Sequence, residues 1–297
     1  MKKPVFTGAG VAIITPMHAD GSVNYAELGR IIDDQIEHGT DAIIICGTTG
    51  ESATLTHEEH VECIRFAVEH TARRVPVVAG TGSNDTAYAV KLSQHAEEVG
   101  ADALLLVTPY YNKASQAGLI AHFSAIANAV SLPCILYNVP SRTGCNILPA
   151  TLAELCKLPN INGVKEASGN LAQVSEIAAL CGDELNIYSG EDGLILPIMA
   201  LGGKGVISVL SNVAPQYTHD ICAAWLDGDA ARCRTLQLGA LELVHALFAD
   251  VNPIPVKWAM NRLGWDAGPL RLPLCPPSPA VQQQLETALK NFGLLKD

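Results

Sequence analysis

Short apolar, β-rich runs recur along the chain at a spacing of roughly thirty residues, and the segments between them carry apolar positions at helical period. Eight such runs stand out: Val11 to Ile14, Ala42 to Cys46, Val75 to Ala79, Ala103 to Val107, Cys134 to Tyr137, Ile161 to Lys165, Asn186 to Ser189 and Gly205 to Val209. From Asp85 to Val99, Ala89, Leu92, Ala96 and Val99 share one helical face, and Gly100 supplies the stop. Continuous apolar strands alternating with amphipathic helices predict an α/β fold with a parallel sheet. Eight strands in sequence fit a closed (β/α)8 TIM barrel better than an open doubly wound sheet. Beyond the eighth run only helices are predicted, at Pro215 to Ala224, Gly228 to Ala249, Pro255 to Arg262 and Pro279 to Asn291. The expected organisation is a catalytic barrel over 1–225 and a C-terminal helical appendage over 226–297. Val251-Asn252-Pro253-Ile254-Pro255 breaks that appendage, because each proline fixes φ and removes a backbone donor.

Composition narrows the function classes. Of 297 residues, 48% are apolar and only 16% charged, with no low-complexity stretch, so an ordered chain is expected to bury much of its surface, part of it between subunits of a homo-oligomer. The net charge of -11 and the absence of a Lys/Arg cluster argue against a nucleic-acid partner. The N-terminus lacks the apolar run that a signal peptide or membrane span requires, which predicts a cytoplasmic protein with no membrane partner. The nine cysteines are scattered singly without a C-x-x-C pair and read as small core residues in a reducing compartment, with no metal site expected. Gly80-Thr81-Gly82-Ser83 follows a strand but lacks the third glycine of a dinucleotide fingerprint, and no G-x-x-x-x-G-K-[ST] motif exists.

In a barrel, chemistry gathers at the C-terminal ends of the strands. Lys165 ends the sixth run, where an amine held away from water loses its proton readily and can attack a keto carbon. A lysine snorkelling at a strand end gives the same pattern. Gly47-Thr48-Thr49-Gly50-Glu51-Ser52 follows the second run and offers hydroxyls and backbone N–H groups to a carboxylate; an ordinary capped loop reads alike. Tyr110 and Tyr111 follow the fourth run, and Tyr137 and Arg142 stand at and beyond the end of the fifth. A rim tyrosine is commonly packing with a wet hydroxyl, whereas the arginine fork suits a carboxylate. Glu191 and Asp192 end the seventh run and read as structural or polarising groups. His57 and His60 miss the H-E-x-x-H spacing of a zinc helix.

Taken together, Gly47-Thr48-Thr49-Gly50-Glu51, Tyr137-Asn138-Val139-Pro140-Ser141-Arg142-Thr143-Gly144 and Val164-Lys165-Glu166-Ala167-Ser168-Gly169-Asn170 resemble the dihydrodipicolinate synthase family. Ser189-Gly190-Glu191-Asp192, Gly205-Val206-Ile207-Ser208 and Asn252-Pro253-Ile254-Pro255-Val256-Lys257-Trp258 continue the resemblance in order, over nearly the whole chain. What it implies is a barrel lyase, free of cofactor and metal, that condenses pyruvate with L-aspartate-4-semialdehyde on the route to diaminopimelate and lysine. By the same resemblance Lys165 would form the imine, Thr48 and Thr49 would hold the pyruvate carboxylate, and Tyr137, Thr48 and Tyr111 would relay protons, Tyr111 coming from a neighbouring subunit. Arg142 would bind the semialdehyde carboxylate, and the Ile207 carbonyl would line the pocket. Family members are commonly homotetramers, dimers of tight dimers.

Related Schiff-base lyases, such as N-acetylneuraminate lyase and the 2-keto-3-deoxy sugar acid aldolases, would share barrel and lysine. Arg142 separates them, since a polyhydroxylated aldehyde wants neutral partners there. A non-catalytic barrel would be marked by loss of Lys165 or of the hydroxyl relay, and neither is lost. Ser52, Ala53, His57, His60, Asn84 and Tyr110 match the site at which feedback-inhibited members bind lysine. Tyr88 stands where lysine-sensitive bacterial members carry a glutamate, so weak or absent lysine inhibition is expected.

Overall fold

The computed structural model of the chain describes residues 2–296. Eight parallel strands close into a barrel in sequence order: β1 (Gly8–Ala12), β2 (Ala42–Ile45), β3 (Val77–Gly80), β4 (Ala103–Val107), β5 (Cys134–Asn138), β6 (Ile161–Glu166), β7 (Asn186–Ser189) and β8 (Gly205–Ser208). The outer ring is formed by α1 (Tyr25–Glu37), α2 (His57–Thr71), α3 (Thr86–Glu98), α4 (Gln116–Ala127), the short α5 (Pro140–Thr143), α6 (Pro149–Leu155), α7 (Leu171–Cys181), α8 (Ile195–Ala200) and α9 (Pro215–Leu226). The chain then continues through α10 (Ala230–Gly239), α11 (Leu241–Leu247), α12 (Ile254–Arg262) and α13 (Pro279–Asn291).

Strand alternation builds two cores. Ile43, Ile45, Leu104, Leu106, Leu136 and Val164 point outward against the helices, while Ala42, Ile44, Ala103, Leu105, Ile135 and Tyr137 fill the barrel interior. Low in the barrel, Phe6 stacks on Tyr188 at 4.6 Å between ring centroids, and the Tyr188 hydroxyl donates to the Phe6 carbonyl at 2.8 Å. Polar groups between strands and helices serve as caps: Thr56 and Glu59 form a capping box on α2, and Asn170 caps α7 through the backbone N–H of Gln173.

Several boundaries differ from the sequence reading by one or two residues, and two departures are larger. The first strand begins at Gly8, three residues before the apolar run at Val11, because the barrel closes there by close backbone approach. A side chain at Gly205 would lie 1.8 Å from the Gly8 carbonyl oxygen, and one at Gly8, whose φ is 104°, would lie 2.1 Å from an Asp41 carboxylate oxygen, so glycine is required on both strands where propensity alone predicts coil. The single helix expected over Gly228 to Ala249 is two, broken after Gly239, where a side chain would meet the Tyr217 hydroxyl at 2.8 Å. The cysteines behave as expected of small core residues: all are free, and every one except the exposed Cys275 is buried. Among the described residues no helix is long and apolar enough to cross a membrane.

Candidate active site

At the C-terminal ends of the strands a cavity of about 520 Å³ opens, lined by Lys165, Tyr137, Thr48, Thr49 and Arg142 together with Asp192 and Asn252. Lys165 projects inward near the top of β6 and pairs in register with Tyr137 of β5 on one side and Tyr188 of β7 on the other. Its Nζ lies 4.2 Å from the centre of the Tyr137 ring. Only 6% of the residue is exposed, and burial lowers its pKa to about 7; Asp192 works to raise it and Arg142 to lower it further. Burial thus favours the neutral amine, the form that attacks a carbonyl. Room for the lysine stem depends on Gly190, where a side chain would come within 3.1 Å of Lys165 Cε and 2.7 Å of Ala167 Cβ.

Tyr137 keeps its proton. Burial raises the phenol to about 12, against the opposing effects of Arg142 and a hydrogen bond with Thr48. A protonated phenol hydrogen-bonded to a hydroxyl beside the amine can pass protons without gaining charge. Thr49 is buried, and its Oγ1 accepts from Asn252 Nδ2 at 3.0 Å. The Asn252 carbonyl in turn accepts from the Arg142 guanidinium at 3.1 Å. One residue thus ties the expected pyruvate turn to the expected rim cation.

The turn that carries Thr48 and Thr49 is held from below. Glu51 has a left-handed backbone, φ 54°, and its N–H donates to the Thr48 carbonyl at 3.1 Å. Its carboxylate accepts from Lys257 Nζ at 2.7 Å and from the Arg271 backbone N–H at 2.9 Å. The helices after the barrel therefore anchor the turn, and Leu241, Val244 and His245 of α11 wall the cavity. Sequence reasoning missed these positions. Asn252 and Lys257 were visible only as part of a helix-breaking, family-like segment, and nothing local reports a partner some two hundred residues away.

Ile207 lies on β8 opposite Gly10 with its side chain in the barrel interior core. Tyr111 is not brought to the cavity of its own chain: it sits on the loop after β4 with φ 74° and is 88% exposed. Near that loop, Asn84 Nδ2 donates to the Tyr110 carbonyl at 3.1 Å. His57 Nδ1 lies 3.4 Å from the Tyr88 hydroxyl, and Ser52, beside Ala53, lines a small cavity of about 40 Å³ shared with Thr48 and Tyr137. His60 is instead engaged with the backbone, its Nε2 2.7 Å from the Gly80 carbonyl, and burial lowers its pKa.

Residues 5–292 match the model of the dihydrodipicolinate synthetase family. A 4-hydroxy-tetrahydrodipicolinate synthase of Lachnoclostridium phytofermentans is 60% identical, covering 98% of this chain and 99% of the relative. Dihydrodipicolinate synthase of Aquifex aeolicus superposes with a TM-score of 0.96 at 46% identity, covering 98% of this chain and 100% of that one. The chloride-inhibited enzyme of Acinetobacter baumannii, solved with pyruvate, gives a TM-score of 0.95 at 42% identity over 97% and 99% of the two chains. By family model, identity and superposition alike, this chain belongs to the dihydrodipicolinate synthetase family.

Proposed function

We propose that the chain is a lyase that condenses pyruvate with L-aspartate-4-semialdehyde through an imine on Lys165, giving 4-hydroxy-tetrahydrodipicolinate for diaminopimelate and lysine biosynthesis. The observation that carries this reading is the juxtaposition, in one cavity, of a buried amine with a pKa near 7, a hydroxyl-bearing turn and a rim arginine. Lys165 attacks the keto carbon while Thr48 and Thr49 hold the pyruvate carboxylate. Loss of water leaves a protonated imine that withdraws electrons from the methyl group, so a methyl proton leaves and the enamine attacks the aldehyde. Tyr137 and Thr48 relay the protons, joined by Tyr111 from a neighbouring subunit, and the Ile207 carbonyl borders the imine. The semialdehyde amine then closes on the former keto carbon and frees Lys165. These steps call on no metal or organic cofactor.

Arg142 fixes the aldehyde by its carboxylate, and Glu191, half-buried on the same cavity with its pKa raised by burial, reads as a structural or polarising group. Replacing Arg142 by alanine is expected to raise KM for the semialdehyde by about 10- to 100-fold, the worth of a charged hydrogen bond, while pyruvate is still trapped on Lys165 by borohydride. An unchanged KM would transfer the assignment to an aldolase with a neutral aldehyde.

The assembly is a homotetramer of tight dimers in the cytoplasm. The large exposure of Tyr111 and of Leu171, Leu180 and Leu226 supports burial between copies. Lysine is a weak inhibitor or none, because Tyr88 presents a neutral phenol, its pKa raised by burial, where the ligand's ammonium would need a charge. A steady-state assay with added lysine checks this, and inhibition at micromolar lysine contradicts it.

A further inference from the structure

Asp192 carries a buried carboxyl group that the steps above leave without a role. It lies in the turn after β7, 2% exposed, on the wall of the cavity that holds Lys165. Its Oδ2 accepts from the backbone N–H groups of Val209 at 3.1 Å and Leu210 at 2.9 Å, and the Ser208 hydroxyl also supports the carboxylate. Its Oδ1 is buried and has no hydrogen-bond partner among the described residues. A carboxylate with one oxygen fixed by the scaffold and the other unsatisfied is costly to keep, and is worth keeping where a positive charge forms beside it.

We infer that Asp192 is the counter-charge of the imine, a positioning residue that keeps the carbon–nitrogen double bond on Lys165 protonated through the pyruvate half-reaction. The inference rests on the imine reading above. Nζ forms a bond to the keto carbon, the keto oxygen leaves as water with one proton from Nζ and a second delivered from solvent through the Tyr137–Thr48 relay, and the nitrogen retains its other proton and the positive charge. When the methyl proton then leaves, its electron pair forms the carbon–carbon double bond and the nitrogen charge is discharged. An anion nearby favours the charged stage over the neutral imine, which activates the methyl group poorly. The charged and titratable groups around this pair are few: Lys165 faces Asp192, Arg142 of α5 and the Tyr137 phenol, and Asp192 also faces Glu191 on its own turn and Cys222 of α9. Arg142 opposes the positive charge and Asp192 favours it. Burial works against ionisation of Asp192, while Ser208, the two amides and Lys165 support it.

Asp192→Asn removes the charge and leaves an amide oxygen able to accept the two backbone donors. The test is the pH profile of pyruvate trapping by cyanoborohydride in the full chain and in this variant. Without the anion, both the free amine and the imine hold their protons less tightly, so both limbs are expected to move to lower pH by about one unit or more. A variant whose plateau falls while both limbs stay in place has lost only a scaffold, and overturns the inference. A wild-type chain that traps no pyruvate at any pH overturns the imine reading itself, and this inference with it. If the variant fails to fold by circular dichroism, the 13C-carboxyl titration of Asp192 in the wild-type chain decides. A pKa that falls on saturation with pyruvate supports the counter-charge, and an unchanged one rejects it.

Discussion

Lys165→Ala is expected to abolish trapping of pyruvate by borohydride and to lower turnover by on the order of 10⁴-fold or more, because a covalent nucleophile has no substitute within reach. The geometry makes the loss specific. Lys165 lines the cavity at the C-terminal ends of the strands, with the Tyr137 ring 4.2 Å away and its ammonium form disfavoured by burial. The same environment sets the pH dependence. A lysine whose folded-state pKa falls from 10.5 to about 7 is reactive above that value and protonated below it. Therefore kcat/KM for pyruvate should decline as the pH drops through about 7, and this acid limb should be absent from the residual activity of Lys165→Ala. A variant that still traps pyruvate would place the imine on another lysine.

Lys257→Met should cost about 3 to 5 kcal/mol of stability, since it leaves Glu51 as a buried anion without its cation. Lys257 and Glu51 are both 1% exposed and 2.7 Å apart, joining α12 to the turn of Thr48 and Thr49. Denaturant midpoints measure the loss, and a raised KM for pyruvate should accompany it because the same turn holds the carboxylate. The double variant Glu51→Gln, Lys257→Met should be less destabilised than the single one, as no unpaired charge remains in the interior. Equal midpoints for Lys257→Met and wild type would show that the ion pair contributes nothing to holding the turn.

These two variants mark what the sequence discloses and what it hides. Strands buried on both faces produce unbroken apolar runs, so β2 and β4 could be read nearly residue by residue, and the lysine at the end of the sixth run followed from barrel geometry. Gly8 and Gly10 concealed the start of β1: a side chain at Gly8 would lie 2.1 Å from an Asp41 carboxylate oxygen and one at Gly10 2.6 Å from Ile44 Cδ1, so crowding by neighbouring side chains rather than strand propensity selects them. Thr48, Tyr137 and Arg142 carry recognisable chemistry and lie where polar residues past a strand are expected. Asn252 and Lys257 carry none locally: their meaning arises only when α12 folds back under the turn after β2. Asp192 was legible as a carboxylate at a strand end, but only the structure puts the residue on the wall of the amine's cavity and leaves one of its oxygens without a hydrogen-bond partner.

The joining of pyruvate to an amino-acid aldehyde in this cavity is directly measurable. Its most direct test is the rate at which the purified chain consumes pyruvate with L-aspartate-4-semialdehyde, coupled to the downstream reductase and followed by nicotinamide absorbance. The expected result is turnover that depends on both substrates, disappears in Lys165→Ala and requires far more semialdehyde in Arg142→Ala. Pyruvate trapped on Lys165 with no turnover of the semialdehyde would contradict it.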